Sequence, residues 1–324
     1  MDKIRAVSYR LLGKYRDYNI KKRGSAKNYA DSLREYAGHK LLTSEQANHF
    51  IYDKIMSGEP FFAGRFGSTE LLNMRSFEFG GFIGQKYDNV FHFNHLCEWS
   101  GFFPHDIKLL PGFVAEMKLA CKDVDFMAVW FHAFEDYYVK NIMDRDISIS
   151  YLLNLEPWTW PNMPWSAALE GKKVLVIHPF SETIKKQYAK REKLFPGTNI
   201  LPKFELHTIR AVQTLAGVPD NRFSTWFDAL EWMYQEAMKV DFDIAIIGCG
   251  AYGFPLAAKL KRSQKQAIHL AGATQLLFGI KGKRWDEGDA FAYVRQWYND
   301  DWVYPSDDDR IKNGDMVEGG CYWK

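Results

Sequence analysis

The second half of the chain alternates continuous apolar runs with helical patterns, and this alternation most constrains the fold. Between residues 167 and 280 the apolar runs are KKVLVIHPF, KFELHTIRAVQ, FDIAIIGCG and QAIHLAG. Runs without a polar side are typical of strands that are buried on both faces of a parallel sheet. We therefore expect an α/β fold: a Rossmann-like, mostly parallel sheet with helices on both faces. Ligands should bind beyond the carboxyl ends of its strands.

A second strand–turn–helix pattern lies closer to the N-terminus. TSEQANHFIYDKIMSG predicts a helix capped by Thr43 or Ser44, PFFAGRFG predicts a short buried strand, and STELLNMRSF predicts a helix capped by Ser68. Ser224 and Thr274 are the predicted caps of two later helices.

The predicted domain organisation is simple. Residues 1–24 form a basic amphipathic helix, and residues 25–324 form a single α/β domain. Within that domain, residues 80–165 are aromatic and irregular, so we expect an aromatic-rich insertion there.

The stretch DIAIIGCGAYGFPLAAKL carries a G-x-G-x-x-G motif, formed by Gly248, Gly250 and Gly253. A strand that enters a helix through such a turn can direct backbone N–H groups at an anion. A dinucleotide site also needs an acidic residue at the end of the next strand, and residues 270–272 supply none. We favour a phosphate or diphosphate ligand without NAD. A turn that merely permits close packing of helix and strand is the alternative.

The stretch GRFGSTE, residues 64–70, has the same strand–glycine turn–helix character. Arg65 could clamp a phosphate, and the Ser68 hydroxyl could hold an anion with the first N–H groups of the helix. Glu70 falls in the first helical turn, where a carboxylate could bridge Mg²⁺ or Mn²⁺ or accept a proton from a hydroxyl group. The alternative is a capped helix with an Arg–Glu ion pair.

His178 lies at the carboxyl end of a predicted strand, where α/β enzymes keep polar side chains. Ser181, Glu182 and Lys185 open the helix that follows. A histidine held by a structural hydrogen bond is the alternative.

The late stretch GIKGKRW forms a basic loop with Lys283, Arg284 and Trp285. Its cations would suit a diphosphate, with Trp285 beside a base or sugar ring, and Tyr252 belongs to the same predicted substrate site. A solvated basic turn is the alternative.

Composition and charge exclude several classes of function. Four cysteines lie far apart without a C-x-x-C motif, which argues against a disulfide scaffold or a zinc site and favours a cytoplasmic location. Beyond residue 23 the chain carries a net charge of about −4, so nucleic acid is not an expected partner.

The N-terminus is strongly basic, with eight Lys/Arg against two Asp in residues 1–23. Ile4, Val7, Leu11, Tyr15 and Tyr18 recur at helical spacing and predict one apolar stripe. Such a helix can lie on the inner face of an anionic membrane. It can equally pack against its own domain and leave a solvated basic face.

FFAGRFGSTE resembles the R-x-G-D-G-E segment of bacterial glycosyltransferases of the GT-D fold. DIAIIGCGAYGFPLAAKLKRSQKQAIHLAG resembles their late strand–turn–helix–strand unit. The resemblance implies hexose transfer from a nucleotide sugar in surface polysaccharide or glycan assembly, with a divalent cation at a D-x-E motif. Arg65, Gly67 and Glu70 match that motif, whereas Ser68 replaces its aspartate and removes one expected carboxylate.

The sequence therefore predicts a glycosyltransferase that moves a hexose from a nucleotide-diphosphate sugar to a polysaccharide or lipid-linked acceptor. Glu70 and His178 are the predicted catalytic residues, and Glu70 is the predicted ligand of Mn²⁺ or Mg²⁺. An NAD-dependent oxidoreductase and a non-catalytic nucleotide- or glycan-binding protein are the alternatives. The predicted substrate-binding residues are Arg65, Gly67, Ser68, Gly248, Gly250, Tyr252, Gly253, Lys283 and Arg284.

Overall fold

The computed structural model describes residues 3–83, 89–144, 146–215, 218, 220–310 and 320–323. Within these residues nine strands form one sheet. The strands are β1 Glu35–Tyr36, β2 His39–Leu42, β3 Phe61–Gly64, β4 Phe126–Val129, β5 Ser148–Tyr151, β6 Lys173–His178, β7 Glu205–Arg210, β8 Ile244–Ile247 and β9 Gln266–His269.

Fourteen α-helices, several of them only one turn long, surround the sheet in the same described residues. The helices of the first half are α1 Lys3–Lys22, α2 Ala26–Asp31, α3 Ser44–Ser57, α4 Ser68–Ile83, α5 Asn89–Ser100, α6 Leu110–Cys121 and α7 Glu135–Asn141. Those of the second half are α8 Ser181–Tyr188, α9 Arg191–Leu194, α10 Trp226–Met238, α11 Gly253–Arg262, α12 Thr274–Leu277, α13 Lys283–Asp286 and α14 Ala292–Arg295.

The sheet runs in the order β1-β2-β5-β4-β3-β9-β8-β6-β7. Every pairing is parallel except β1 with β2 at one edge, so the expectation of a mostly parallel sheet is confirmed. The last strand, β9, lies between β3 and β8 and therefore joins the N-terminal strands to the C-terminal ones. The carboxyl ends of eight neighbouring strands consequently meet at one edge of the molecule.

Two hydrophobic clusters cover the two faces of the sheet, as the continuous apolar strands predict. Along β3, Phe62 joins the cluster beneath α6, α10 and α11, while Phe61 and Ala63 join the cluster beneath α3 and α8. Successive side chains of a strand point to opposite faces. A strand that packs on both sides therefore needs apolar residues at every position, and the expectation of helices on both faces is confirmed.

The aromatic-rich segment of residues 80–165 contributes directly to the sheet, because β4 and β5 lie within it. The helices α5, α6 and α7 come from the same segment. Its rings fill a layer between helices: Phe102, for example, contacts the rings of Phe113 and Trp226 at centroid distances of 5.3 Å and 5.5 Å.

The helix caps correct three local predictions. Thr43 caps α3 in a capping box with Gln46, as expected. Thr225 rather than Ser224 caps α10, again in a capping box, because its hydroxyl oxygen accepts from the N–H of Asp228. Ser68 was predicted to cap α4, yet it is the first helical residue, and the Gly67 carbonyl accepts from the Leu71 N–H at 3.0 Å.

Thr274 likewise begins α12 instead of capping it. Ala273 occupies the cap position, and the Thr274 hydroxyl donates to the Ile247 carbonyl at 3.3 Å. Its side chain ties the turn after β9 to the end of β8, a tertiary contact that capping propensity does not predict.

The N-terminal helix is present, but the side that packs against the rest of the protein is not its apolar stripe. Ala6, Gly13 and Arg16 are buried, whereas all five residues of the predicted apolar stripe are exposed. Within the described residues, no helix combines the length and apolar composition that a membrane span needs.

We expect Thr225→Ala to lower the free energy of unfolding by about 1 kcal/mol, because α10 would lose the side-chain acceptor for its first turn. The exposed neighbour Ser224 is the matched control, and Ser224→Ala should change the free energy by less than about 0.5 kcal/mol. Urea denaturation of both variants measures the difference. A larger loss in Ser224→Ala than in Thr225→Ala would place the cap at Ser224 instead.

Candidate functional site

A cavity of about 530 Å³ opens where the strands end. Residues that follow β3 through β9 line it, so seven neighbouring strands deliver side chains to one space. This is the edge at which parallel α/β sheets bind ligands. Both glycine turns reach it: Arg65, Gly67, Ser68 and Glu70 on one side, and Gly248, Gly250 and Tyr252 on the other.

The first glycine turn presents the start of α4 to the cavity. Residues 67–70 all line it, and the first N–H groups of a helix have no partner within the helix. Glu70 is buried and folds back over Gly67 so closely that a Cβ atom on Gly67 would collide with the carboxylate oxygen Oε2. Glycine at position 67 is therefore what allows the Glu70 carboxylate to occupy this place.

Arg65 stands beside this helix start in a half-buried position. Its guanidinium lies 4.3 Å from the centre of the Trp130 ring, at the end of β4. Burial lowers the pKa of Arg65, whereas the negative charges of Glu156 and Glu70 favour its charged form. No acceptor among the described residues bonds to its buried Nε–H. An arginine with unused donor capacity can bind an anionic ligand.

Glu156 is a functional candidate that sequence reasoning missed. It follows β5, lines the cavity and is buried, and Tyr293 donates to its Oε2 at 2.9 Å. Burial raises the pKa of Glu156 to about 7, against the opposing effects of the Tyr293 hydrogen bond and the Arg65 charge. A carboxyl group that titrates near neutrality inside a cavity is a candidate general base. The sequence around it, NLEPW, carries no motif that signals this burial.

His178 reaches the cavity from the end of β6, where the sequence placed it. Its Nδ1 accepts a hydrogen bond from the Phe180 N–H at 3.0 Å, so the ring proton of the neutral imidazole lies on Nε2. Burial lowers the pKa of His178 to about 3. At neutral pH this side chain is a hydrogen-bond donor and not a proton acceptor.

Most groups of the second glycine turn contact other parts of the protein itself. The N–H groups of Gly248 and Tyr252 donate to the Ile177 and Cys249 carbonyls, so neither is available to an anion. Gly250 has a φ of +58°, and a Cβ there would lie 2.7 Å from the Ser100 carbonyl oxygen. The turn therefore packs against the C-terminal end of α5.

Gly253 and Tyr252, two more residues of this predicted anion-binding turn, also have structural contacts. Gly253 is absent from the described cavity lining and packs so tightly against the His269 ring that any side chain would collide with it. The Tyr252 hydroxyl lies 3.2 Å from both the Thr214 hydroxyl and the Gly101 carbonyl. These contacts favour the alternative of a turn that permits close packing.

The basic loop divides its residues between the cavity and the surface. Arg284 and Trp285 line the cavity, and Arg284 donates to the Tyr322 hydroxyl at 3.1 Å. Lys283 is exposed and does not belong to the described lining. One of the two predicted cations therefore lies in position to meet a ligand.

The described residues contain no group of three His, Cys, Asp or Glu side chains that could hold a metal ion. Glu70 has Ser68 beside it instead of a second carboxylate. His92 and His95, which have the spacing of a metal-binding pair, serve other contacts: His92 bonds to Ser76, and His95 stacks on Trp99. A cation at Glu70 would need most of its ligands from a substrate diphosphate and water.

Comparison with known proteins adds little to this geometry. No protein-family model matches the chain, and no curated protein matches it. A search of solved structures finds similarity to one described as the selenomethionine-substituted structure of domain of unknown function 1792. The two are 15% identical over 73% of this chain and 79% of that one, with a TM-score of 0.40. Similarity at this level supports no inference about activity.

Proposed function

We propose that this chain is a glycosyltransferase that moves a hexose from a nucleotide-diphosphate sugar to a polysaccharide or lipid-linked acceptor. The observation that carries the proposal is the cavity itself. It combines two arginines, Arg65 and Arg284, with two buried carboxylates, Glu70 and Glu156, at the carboxyl ends of a parallel sheet. Cations suit a diphosphate, and carboxylates suit an activated hydroxyl or a bridging metal ion.

The size and aromatic lining of the cavity suit such a donor. A volume of about 530 Å³ lies within the range of small-molecule sites. Aromatic residues make up much of the lining, and rings that face the cavity would stack on a base or a sugar. The aromatic residues of the lining are Trp99, Trp130, Tyr151, Phe180, Tyr252, Trp285, Phe291, Tyr293 and Tyr322. All four cysteines are buried free thiols, which suits the cytoplasmic location we propose.

The proposed roles follow from position and charge. The start of α4 and Arg65 bind the diphosphate and stabilise the negative charge that develops on the leaving group. His178 contributes a neutral N–H donor to an oxygen of the donor. In an inverting reaction Glu156 accepts the acceptor's hydroxyl proton, the oxygen attacks the anomeric carbon, and the nucleoside diphosphate departs with the bonding electrons.

Two other functions remain as alternatives in the test. An NAD-dependent oxidoreductase would bind its ribose with a carboxylate after β9, where the chain has residues 270–272 without one. A non-catalytic binding protein would use the same arginines and rings without chemistry.

We expect UDP-, GDP- or CMP-sugars, but not NAD(H) or FAD, to raise the melting temperature of the protein, measured with and without Mn²⁺. A ligand at about 100 times its dissociation constant stabilises by about 2.7 kcal/mol. Stabilisation by NAD(H) alone would refute the transferase. Stabilisation by a nucleotide sugar without hydrolysis or transfer would identify a binding protein.

Glu70→Gln should reduce transfer by at least about 100-fold, because it removes the carboxylate charge that would hold a bridging metal ion or activate a hydroxyl group. The fold should stay intact, because glutamine has nearly the same size as glutamate. Gly67→Ala should have a comparable effect, because a methyl group would displace the Glu70 carboxylate. Gly81→Ala in the same helix is the control, since a Cβ there meets no atom within 4 Å. Retained activity in Gly67→Ala would show that the position of Glu70 is irrelevant to the reaction.

The pKa of Glu156 leads to a prediction for the pH dependence of the reaction. Below its pKa of about 7 the carboxyl group is protonated and cannot accept the hydroxyl proton, so kcat/KM should fall about tenfold for each pH unit there. Glu156→Gln should lower the rate by about 100-fold or more and abolish this dependence. Glu182→Gln, at an exposed carboxylate outside the described lining, should change neither. A pH limb that persists in Glu156→Gln would assign the base elsewhere.

A further inference from the structure

Helix α1 is held to the body of the protein by one narrow face. A Cβ on Gly13 would lie 2.9 Å from the Ala133 Cβ, which shows how closely the two backbones approach. The buried Arg16 guanidinium pairs with Asp136 at 3.1 Å. Tyr9 packs against the Phe134 ring at a centroid distance of 6.3 Å. These contacts fix the rotation of α1 about its own axis.

The opposite face of α1 carries large apolar side chains that are exposed to solvent. At 100° per residue, Ile4, Val7, Leu11, Tyr15 and Tyr18 share one face, diametrically opposed to the contacts at Gly13 and Arg16. Their exposed fractions range from 38% to 78%. We call these five residues the α1 stripe.

Exposed apolar residues also concentrate on the neighbouring helices. Ten of the fifteen exposed large hydrophobic residues in the described part of the chain lie on α1, α4 and α5, which pack side by side. Besides the α1 stripe these are Leu12, Phe77, Phe82, Val90 and Phe91. Scattered exposed apolar residues are normal, whereas a concentration on adjoining helices marks an interaction surface.

Positive charge accompanies this surface. Helix α1 holds seven Lys/Arg and a single acidic residue, Asp17. Lys3, Arg10, Lys14 and Lys21 share one flank between the α1 stripe and the body, according to the same helical geometry. Arg10 and Lys14 also line a cavity of about 360 Å³ together with Arg75 and the acidic Asp17. Cations outnumber the one carboxylate there, so the cationic flank extends onto the body.

We propose that the α1 stripe binds the surface of an anionic lipid bilayer, with its apolar side chains at the headgroup–acyl boundary and the cationic flank beside the headgroups. An apolar face with a basic flank is the pattern of helices that lie in a membrane interface. Charge disfavours a second copy of this chain as the partner, because each α1 carries seven Lys/Arg and one acidic residue, so two such helices repel each other. The proposal does not depend on the transferase activity.

The test is flotation of the full chain with vesicles of phosphatidylcholine alone or with 30% phosphatidylglycerol. We expect binding to the anionic vesicles that weakens at high salt, and little binding to the neutral ones. Leu11→Glu/Tyr15→Glu should weaken binding at least about tenfold. Lys3→Glu/Lys21→Glu should also weaken it at least about tenfold, because each substitution reverses a charge near the headgroups.

Leu119→Glu/Met238→Glu is the matched control, since it places the same two charges at exposed apolar positions on α6 and α10. This variant should bind vesicles as the unaltered chain does. Melting temperatures of all variants establish that they fold, and nucleotide-sugar binding should be the same in all of them.

Three results would overturn the proposal. The first is that the unaltered chain does not bind anionic vesicles. The second is an equal loss in the control and the stripe variant. The third is a dimer, seen by analytical ultracentrifugation, that the stripe variant dissociates while vesicle binding is absent; that result would assign the α1 stripe to contact between copies.

Discussion

The position of β9 is the constraint on which the rest of the structure depends. The last strand of the sheet enters between β3 and β8 and pairs in parallel with both. Gln266 anchors its start, because the side-chain amide donates to the Lys54 and Glu59 carbonyls at 2.8 Å each. Without this strand the two glycine turns would belong to separate half-sheets. With it, they end at the same edge and share one cavity.

The two glycine turns resemble each other in sequence but differ in what surrounds them. The first places the N-terminus of a sixteen-residue helix, Arg65 and Glu70 at the cavity. In the second, the N–H groups donate to carbonyls of the protein itself, and two of the glycines pack against Ser100 and His269. A glycine motif permits close approach of the backbone. Whether a ligand or the protein's own chain makes that approach depends on which segment packs against the turn.

Burial shifts the pKa values of two cavity residues far from their ordinary values, and these shifts decide which of the two can accept a proton. Removal from water disfavours charge, so it raises the pKa of Glu156 to about 7 and lowers that of His178 to about 3. The histidine, a natural candidate for a base, thereby becomes a neutral donor, and a glutamate without any motif becomes the group that titrates near neutrality. Burial also could not be predicted for α1: its apolar residues predicted a helix, but they did not predict which side of the helix would pack against the body.

The sequence by itself determined the α/β class, the parallel strands, the location of Arg65 and His178 at strand ends and that of Glu70 in the first turn of a helix, because apolar periodicity and turn chemistry are local properties. The strands β3 and β6 to β9 and the start of α3 followed from the same patterns, whereas caps such as Thr225 and the strands β1, β2 and β5 did not. Only the tertiary structure decided the strand order, the packing role of Gly250 and the burial of Glu156. Each of these depends on segments distant in the chain, and the free energy of burying a side chain depends on everything that surrounds it.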